Sequence, residues 1–243
     1  ETGRDAHCGE ISVAYYDKSG GLVAPPGRAA KTHRTLDAEG DVIEQRCFDA
    51  RTVPANCGGD GGAIGAVLRS EYDDKGREIS LKAFDGEGKP TTQSAWYPHE
   101  ARSTYDDRGL VVEVRYFDEK GGPAVALGKV SQRKFRYDAL GAMVSFANFG
   151  VDGAAVIDST LIHELRLVYD DRHQLSRVEV RDTGGAPPPK TSLRYAGVSF
   201  PERASRADVV REEGHVVENK FLDKDGKEVG KIDCRSIDVL CLR

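Results

Sequence analysis

The sequence is poor in the residues that fill thick cores and build reactive centres. It holds one Met and one Trp, and aromatic residues make up only 7% of its 243 positions. Six histidines, His7, His33, His99, His163, His173 and His215, are scattered without a second ligand at helical or strand spacing, so no metal site is expected. There is no His-Glu-x-x-His, no Gly-x-Ser-x-Gly, no phosphate-cradling Gly-x-x-x-x-Gly-Lys and no Cys-x-x-Cys. Asp223-Lys224-Asp225-Gly226 resembles a piece of a calcium loop but lacks the closing bidentate Glu. No cofactor is expected. No apolar run approaches the roughly 20 residues that span a bilayer. Excess positive charge is also missing: the formal net charge is −5 with both signs interspersed, so nucleic acid is not an expected partner.

What is there is a repeat, and repeats govern the reading of everything else. Tyr105 to Pro123 contains one phrase twice: an aromatic residue, Asp, then Gly three residues later. The full phrase begins at Leu36, Tyr72, Tyr105, Tyr137, Tyr169 and, in weaker form, Val210. Twelve residues after each start comes the second half-phrase, at Phe48, Phe84, Phe117, Phe149, Arg181 and Leu222. Successive starts lie 36, 33, 32, 32 and 41 residues apart, so the unit is 32 residues with insertions in the first and fifth copies. A partial unit precedes them over residues 11–30, with Tyr16, Asp17 and Gly20.

Each Asp-x-x-Gly predicts a turn, because Asp bonds the backbone two residues on and Gly accepts positive φ. In the fifth unit His173 takes the Gly place, which predicts a strained or differently shaped turn. Between the turns, apolar and polar residues alternate, as in Val112, Val114, Tyr116 against Glu113, Arg115. That pattern is a strand with one buried and one wet face, and a second strand leads into each start. The fold expected is all-β: tandem antiparallel β-hairpin repeats in a twisted, spiralling open sheet or solenoid, with a C-terminal cap over 231–243. The whole of 1–243 is read as a single repeat domain. Glu1-Thr2-Gly3 reads as a cloning remnant outside it. In-register stacking would place Glu44, Glu113 and Glu218 beside Arg or Lys of neighbouring strands, for register and solubility.

Five cysteines are present. Cys47 with Cys57 and Cys234 with Cys241 are close in sequence and read as two short-loop disulfides, leaving Cys8 over. Disulfides imply an oxidising compartment, so the chain is expected to be secreted, periplasmic or on a cell surface. Residues 51–63 interrupt the first unit with Pro54 and four glycines. Residues 186–206 enlarge the fifth with Pro187-Pro188-Pro189, and 193–200 could form a short strand there. Trp96-Tyr97-Pro98-His99 sits in a connector. Trp96, Tyr97, His99, Pro188 and Tyr195 are the candidate binding residues, since function concentrates on irregular segments carried by a regular scaffold.

The phrase Tyr-Asp-x-x-Gly followed by an alternating strand, as in the stretch from Phe135 to Phe146, resembles the tyrosine–aspartate (YD, or RHS-type) repeats of bacterial cell-surface and toxin-related proteins and of animal teneurins. The resemblance covers about 16–229. The unit here is longer than the usual repeat of about twenty residues, and adds Phe-Asp-x-x-Gly-x-Pro. It looks closer to the longer tandem repeats of secreted or envelope-associated bacterial proteins. The resemblance implies a spiralling sheet of hairpins that serves as a scaffold, so no catalytic residues carry over. The expected function is a non-catalytic extracytoplasmic scaffold binding a protein or envelope glycan through its inter-repeat loops. Two alternatives are a hydrolase with carboxylates in an inter-repeat cleft and a scaffold fragment of a larger toxin or adhesin.

Overall fold

The computed structural model describes residues 2–4, 10–57, 65–92, 98–196, 198–235 and 241–242. It is all-β, and the chain falls into two compact units, Glu1–Leu127 and Gly128–Arg243. The first unit holds β1 (Thr2–Arg4), β2 (Glu10–Ala14), β3 (Lys31–Leu36), β4 (Val42–Phe48), β5 (Val67–Tyr72), β6 (Glu78–Phe84), β7 (Glu100–Tyr105) and β8 (Val111–Phe117), with strand order equal to chain order. The strands pair antiparallel throughout, and among the described residues β1 and β8 do not pair with each other, so the strand series is open. β1 places Thr2, Gly3 and Arg4 in the sheet rather than outside the fold.

The repeat phrase forms the hairpin in the same way each time. In the central copy Asp106 Oδ1 accepts the backbone N–H groups of Arg108 (3.0 Å) and Leu110 (2.9 Å), and Gly109 N–H donates to Asp106 O at 3.0 Å. Gly109 has φ +83°, a value a residue with Cβ resists. The register slips by one residue at the start of each phrase: Thr104 pairs with Glu113 but Tyr105 with Val111, leaving Val112 as the extra residue of a bulge. Ile43, Ile79 and Val144 are its counterparts. The second half-phrase folds the chain back for a single bridge, Phe48 to Pro54, Phe84 to Pro90 and Phe117 to Pro123. Gly86 is needed in one such turn because a Cβ there would lie 2.5 Å from Pro54 Cβ of the preceding hairpin.

The two faces of the first unit do different work. On the polar face Glu44, Arg69, Lys82 and Glu100 form one cross-strand row, two adjacent cations flanked by two carboxylates. Arg69 Nε donates to Glu44 at 2.8 Å, and Arg102 Nη2 donates to Glu100 at 2.8 Å. Burial alone would raise the Glu100 carboxyl, but hydrogen bonds from Arg102 and Ser80 hold it below the ordinary range. In three copies, counting one in the second unit, the basic residue three places before the start also caps an aromatic ring. Arg69 lies over Phe84 at 4.3 Å, Arg102 over Phe117 at 3.9 Å and Lys134 over Phe149 at 5.0 Å. Each such contact is worth about 0.5–1 kcal/mol at a partly exposed site. These basic residues are therefore engaged within the sheet. Glu113 pairs with Arg115 of its own strand rather than across strands, while Glu218 lies 3.4 Å from Lys231 of the neighbouring one.

In the second unit, β9 (Gln132–Tyr137), β10 (Met143–Phe149), β11 (Glu164–Tyr169), β12 (Leu175–Arg181), β15 (Arg206–Glu212), β16 (His215–Leu222) and β17 (Glu228–Asp233) again follow chain order. The exception is β13 (Arg194–Tyr195) with β14 (Val198–Ser199), a small separate hairpin inside the 186–206 insertion. The insertion is more than the single short strand expected and is no free surface loop. Leu193, Val198 and Phe200 enter a buried cluster with Leu165, Val178, Val180 and Phe221. Thr191 N–H donates to Glu202 O at 2.7 Å and Ser192 N–H to Thr160 O at 3.1 Å, which close the base of the insertion.

All members of that cluster belong to the second unit. Two asparagines stand at otherwise apolar strand positions, and both are fully buried. Asn148 joins Arg133 and Asp158 in a polar network. Asn219 accepts the Leu242 N–H at 2.8 Å and fixes the tail, whose Leu242 side chain is fully buried. Cys47 and Cys57 are bonded, with Cα atoms 5.2 Å apart, and Cys234 and Cys241 are bonded, with Cα atoms 6.0 Å apart. No helix among the described residues is long and apolar enough to cross a membrane.

Candidate functional site

The site arises where the repeat changes. In three copies the starting tyrosine reaches back and donates its hydroxyl to one particular backbone carbonyl of the preceding hairpin. Tyr72 donates to Val42 O (3.0 Å), Tyr105 to Glu78 O (2.7 Å) and Tyr169 to Met143 O (3.0 Å). Each accepting residue is the one beside the bulge that pairs with its own hairpin's starting residue. The bulge turns that carbonyl out of the regular ladder, and the phenol satisfies it.

The corresponding carbonyl of the fifth hairpin is Leu175 O, since Leu175 pairs with Tyr169. No tyrosine starts the next hairpin of the sheet. Arg211 occupies the tyrosine's place: the register slips between Val210 and Arg211, Arg211 pairs with Val216, and its Nη1 donates to Leu175 O at 2.7 Å. The sequence put the sixth start at Val210, but the structural equivalent is one residue later. The reason is a shorter turn. Glu212 pairs with His215 around Glu213 (φ +50°) and Gly214 (φ +84°), a two-residue turn with both central residues left-handed.

Beside Arg211 opens a cavity of about 780 Å³, within the second unit. One wall is the Tyr169 ring stacked on His173, centroids 5.1 Å apart at 16°. His173 does stand in the Gly place of its turn, at φ +60°, and its Nδ1 lies 3.6 Å from Asp138 Oδ2. Tyr195, carried in by the small hairpin, forms another wall. Burial, and for Tyr195 also the neighbouring Tyr169, pushes both phenols up, so both remain neutral donors. The apolar floor includes Leu175, Val216 and Val217. His215 and Arg235 complete the polar side. Glu212 and Asp233 hold Arg235 cationic, with its Nη2 3.1 Å from Glu212.

The described lining contains no carboxylate. That chemistry suits holding an anion with an apolar body. It does not suit hydrolysis by two carboxylates, which needs a facing acid and base. Cys234 also lines the cavity, but its sulfur is tied to Cys241 and offers no thiolate. Among the described residues, no three His, Cys, Asp or Glu come together to hold a metal.

Of the residues singled out from sequence, Tyr195 lines this cavity. His99 is buried elsewhere, with Nδ1 2.7 Å from Ala83 O and its ring edge-on to Phe84. Pro188 is buried at the base of the insertion. Trp96, Tyr97 and Cys8 lie outside the described residues. Tyr169, His173, Arg211, His215 and Arg235 were not among the candidates. The available signals were the His in a Gly place and the weak sixth phrase.

No family model matches the chain, and no curated protein matches it. Among the similar solved structures are three crystal structures of TcdB2-TccC3. TcdB2-TccC3-TEV aligns over 98% of this chain and 13% of that one, at 14% identity and TM-score 0.31. TcdB2-TccC3 aligns over 88% and 14%, at 12% identity and TM-score 0.24. TcdB2-TccC3 without its hypervariable C-terminal region aligns over 96% and 13%, at 15% identity and TM-score 0.24. The chain thus spans a small fraction of the length of each.

Proposed function

We propose that the chain is a non-catalytic β-hairpin scaffold, extracytoplasmic, and a segment of a larger toxin- or adhesin-type assembly. The observation that carries this reading is that most of the recurring polar residues have partners within the fold. The aspartates cap their own turns, three of the starting tyrosines hold bulge carbonyls, and in three copies the basic residue lies on a phenylalanine. A repeat used this way supports neighbours and leaves recognition to the places where it departs from pattern. Two disulfides favour an oxidising compartment. Because the 186–206 insertion is packed into the core, partner contact belongs at its rim, beside Tyr195, and not along the whole loop.

The hydrolase alternative requires a carboxyl held protonated near neutrality. The shifted carboxylates go the other way. Asp73 is lowered to about 2, first by the Arg77 side-chain hydrogen bond, and Asp106 is lowered by the Leu110 N–H. A group lowered in the fold adds stability above its unfolded value, about 4 for Asp. That stability is lost as pH falls through the folded value. The expected result of a carboxylate NMR titration is that Asp73 and Asp106 titrate below about pH 4 together with acid destabilisation, and that no carboxylate titrates above about pH 6. A carboxyl titrating above that point would favour the enzyme.

A further inference from the structure

We propose that the cavity beside Arg211 receives an acidic peptide segment of a protein partner, with a carboxylate on Arg211 and an adjoining apolar side chain against the Tyr195 and Val216 side. The proposal goes beyond the scaffold reading and stands on the lining itself. In a chain of net charge −5, the described lining carries two arginines, Arg211 and Arg235, and no Asp or Glu; Glu212 and Asp233 pair with Arg235 from outside the lining, which leaves Arg211 as the cation with donors to spare. An anion entering such a site meets complementary charge in a recess with apolar walls, where a pair is less screened than on open surface.

Arg211 is held for this task. Nη1 is fixed on Leu175 O, while the other guanidinium N–H groups have no acceptor among the described residues. The tyrosine this residue replaces would fill the space with a ring and satisfy the same carbonyl with no charge. Replacement by Arg keeps the structural hydrogen bond and adds a cation with donors left over, which a planar carboxylate can accept in pairs.

The rest of the lining selects peptide over sugar. Saccharides are recognised through hydroxyls that both donate and accept, so a sugar site wants carboxylates and amides. Here the described lining has Gln174 as its single amide and no carboxylate. Leu175, Val216 and Val217 instead offer an aliphatic floor beside the cation. An acidic residue next to an aromatic or aliphatic one matches both.

The test is calorimetric titration of the whole chain with a capped Glu-Phe-Glu tripeptide, its neutral Gln-Phe-Gln isostere and a trigalacturonate. The expected result is saturable binding of the acidic peptide, at least about ten-fold tighter than either comparator. Arg211→Tyr restores the repeat's own solution, so it should keep the unfolding midpoint of the parent and lose at least about ten-fold in affinity. Arg235→Gln, at an exposed position, should weaken binding about three-fold at low salt and less at high salt. The idea is overturned by equal binding of the isostere, by tighter binding of the uronate, by parental affinity in folded Arg211→Tyr, or by no saturable binding at millimolar peptide. None of these outcomes touches the scaffold reading, which is decided by the carboxylate titration.

Discussion

Replacing Phe221 by Ala is expected to lower the stability of the second unit by about 3–5 kcal/mol. Phe221 is the largest fully buried side chain among the described residues. Its ring meets Phe200 edge-on at 5.2 Å, and it shares the cluster with Val178, Val180 and Leu193. Truncation removes the ring's transfer free energy and leaves a cavity. The surroundings have little freedom to collapse into it, because the insertion is closed by the Thr191–Glu202 hydrogen bond and the tail by Cys234–Cys241. Leu81→Ala in the first unit is the natural contrast. Leu81 is only half-buried and lies outside the cluster, so its loss costs less than half as much. Urea unfolding of the two variants reads the difference. A cost under about 1 kcal/mol for Phe221→Ala would mean the cluster is not tightly packed.

Asn148→Leu is expected to cost about 3 kcal/mol, despite nearly matching volume and an apolar side chain. Asn148 is fully buried. Its Oδ1 accepts from Arg133 Nε at 2.8 Å, and its Nδ2 donates to Asp158 Oδ2 at 3.2 Å and Ile162 O at 3.3 Å. Leucine would leave the guanidinium, the carboxylate and the carbonyl each short of a partner inside the fold. The asymmetry between removing one partner and removing all of them makes the effect large. A variant as stable as the parent in the same urea titration would show that water reaches the network and replaces the amide.

The hairpins were legible in the sequence because their causes are local. Asp106 and Gly109 state a turn within four residues, and Val112 to Tyr116 state a face by alternation. The constant offset of twelve then fixed the unit. What could not be read was where side chains reach across units. Tyr105 reads as core filling, yet its hydroxyl has a backbone partner 27 residues earlier. Arg69 and Arg102 carry no local signal of a partner, yet their charges rest on Phe84 and Phe117. The insertion reads as a loop because prolines dominate its start, while Leu193, Val198 and Phe200 behind them pack into the core. Val210 holds the twelve-residue offset, but the two-residue turn at Glu213-Gly214 shifts the structural start to Arg211. The cavity follows from that shift, and no local pattern announces it.

The tyrosine tie is the feature on which scaffold and site both depend, and Tyr105→Phe isolates it. The change removes one hydroxyl, keeps the ring under Arg77, and leaves Glu78 O without its 2.7 Å partner. Thermal unfolding should show a loss of about 1 kcal/mol. For a chain of this length that is a midpoint about 2–4 °C lower. An unchanged midpoint would contradict the account, because the hydroxyl would then hold nothing and Arg211 would have no structural role to inherit.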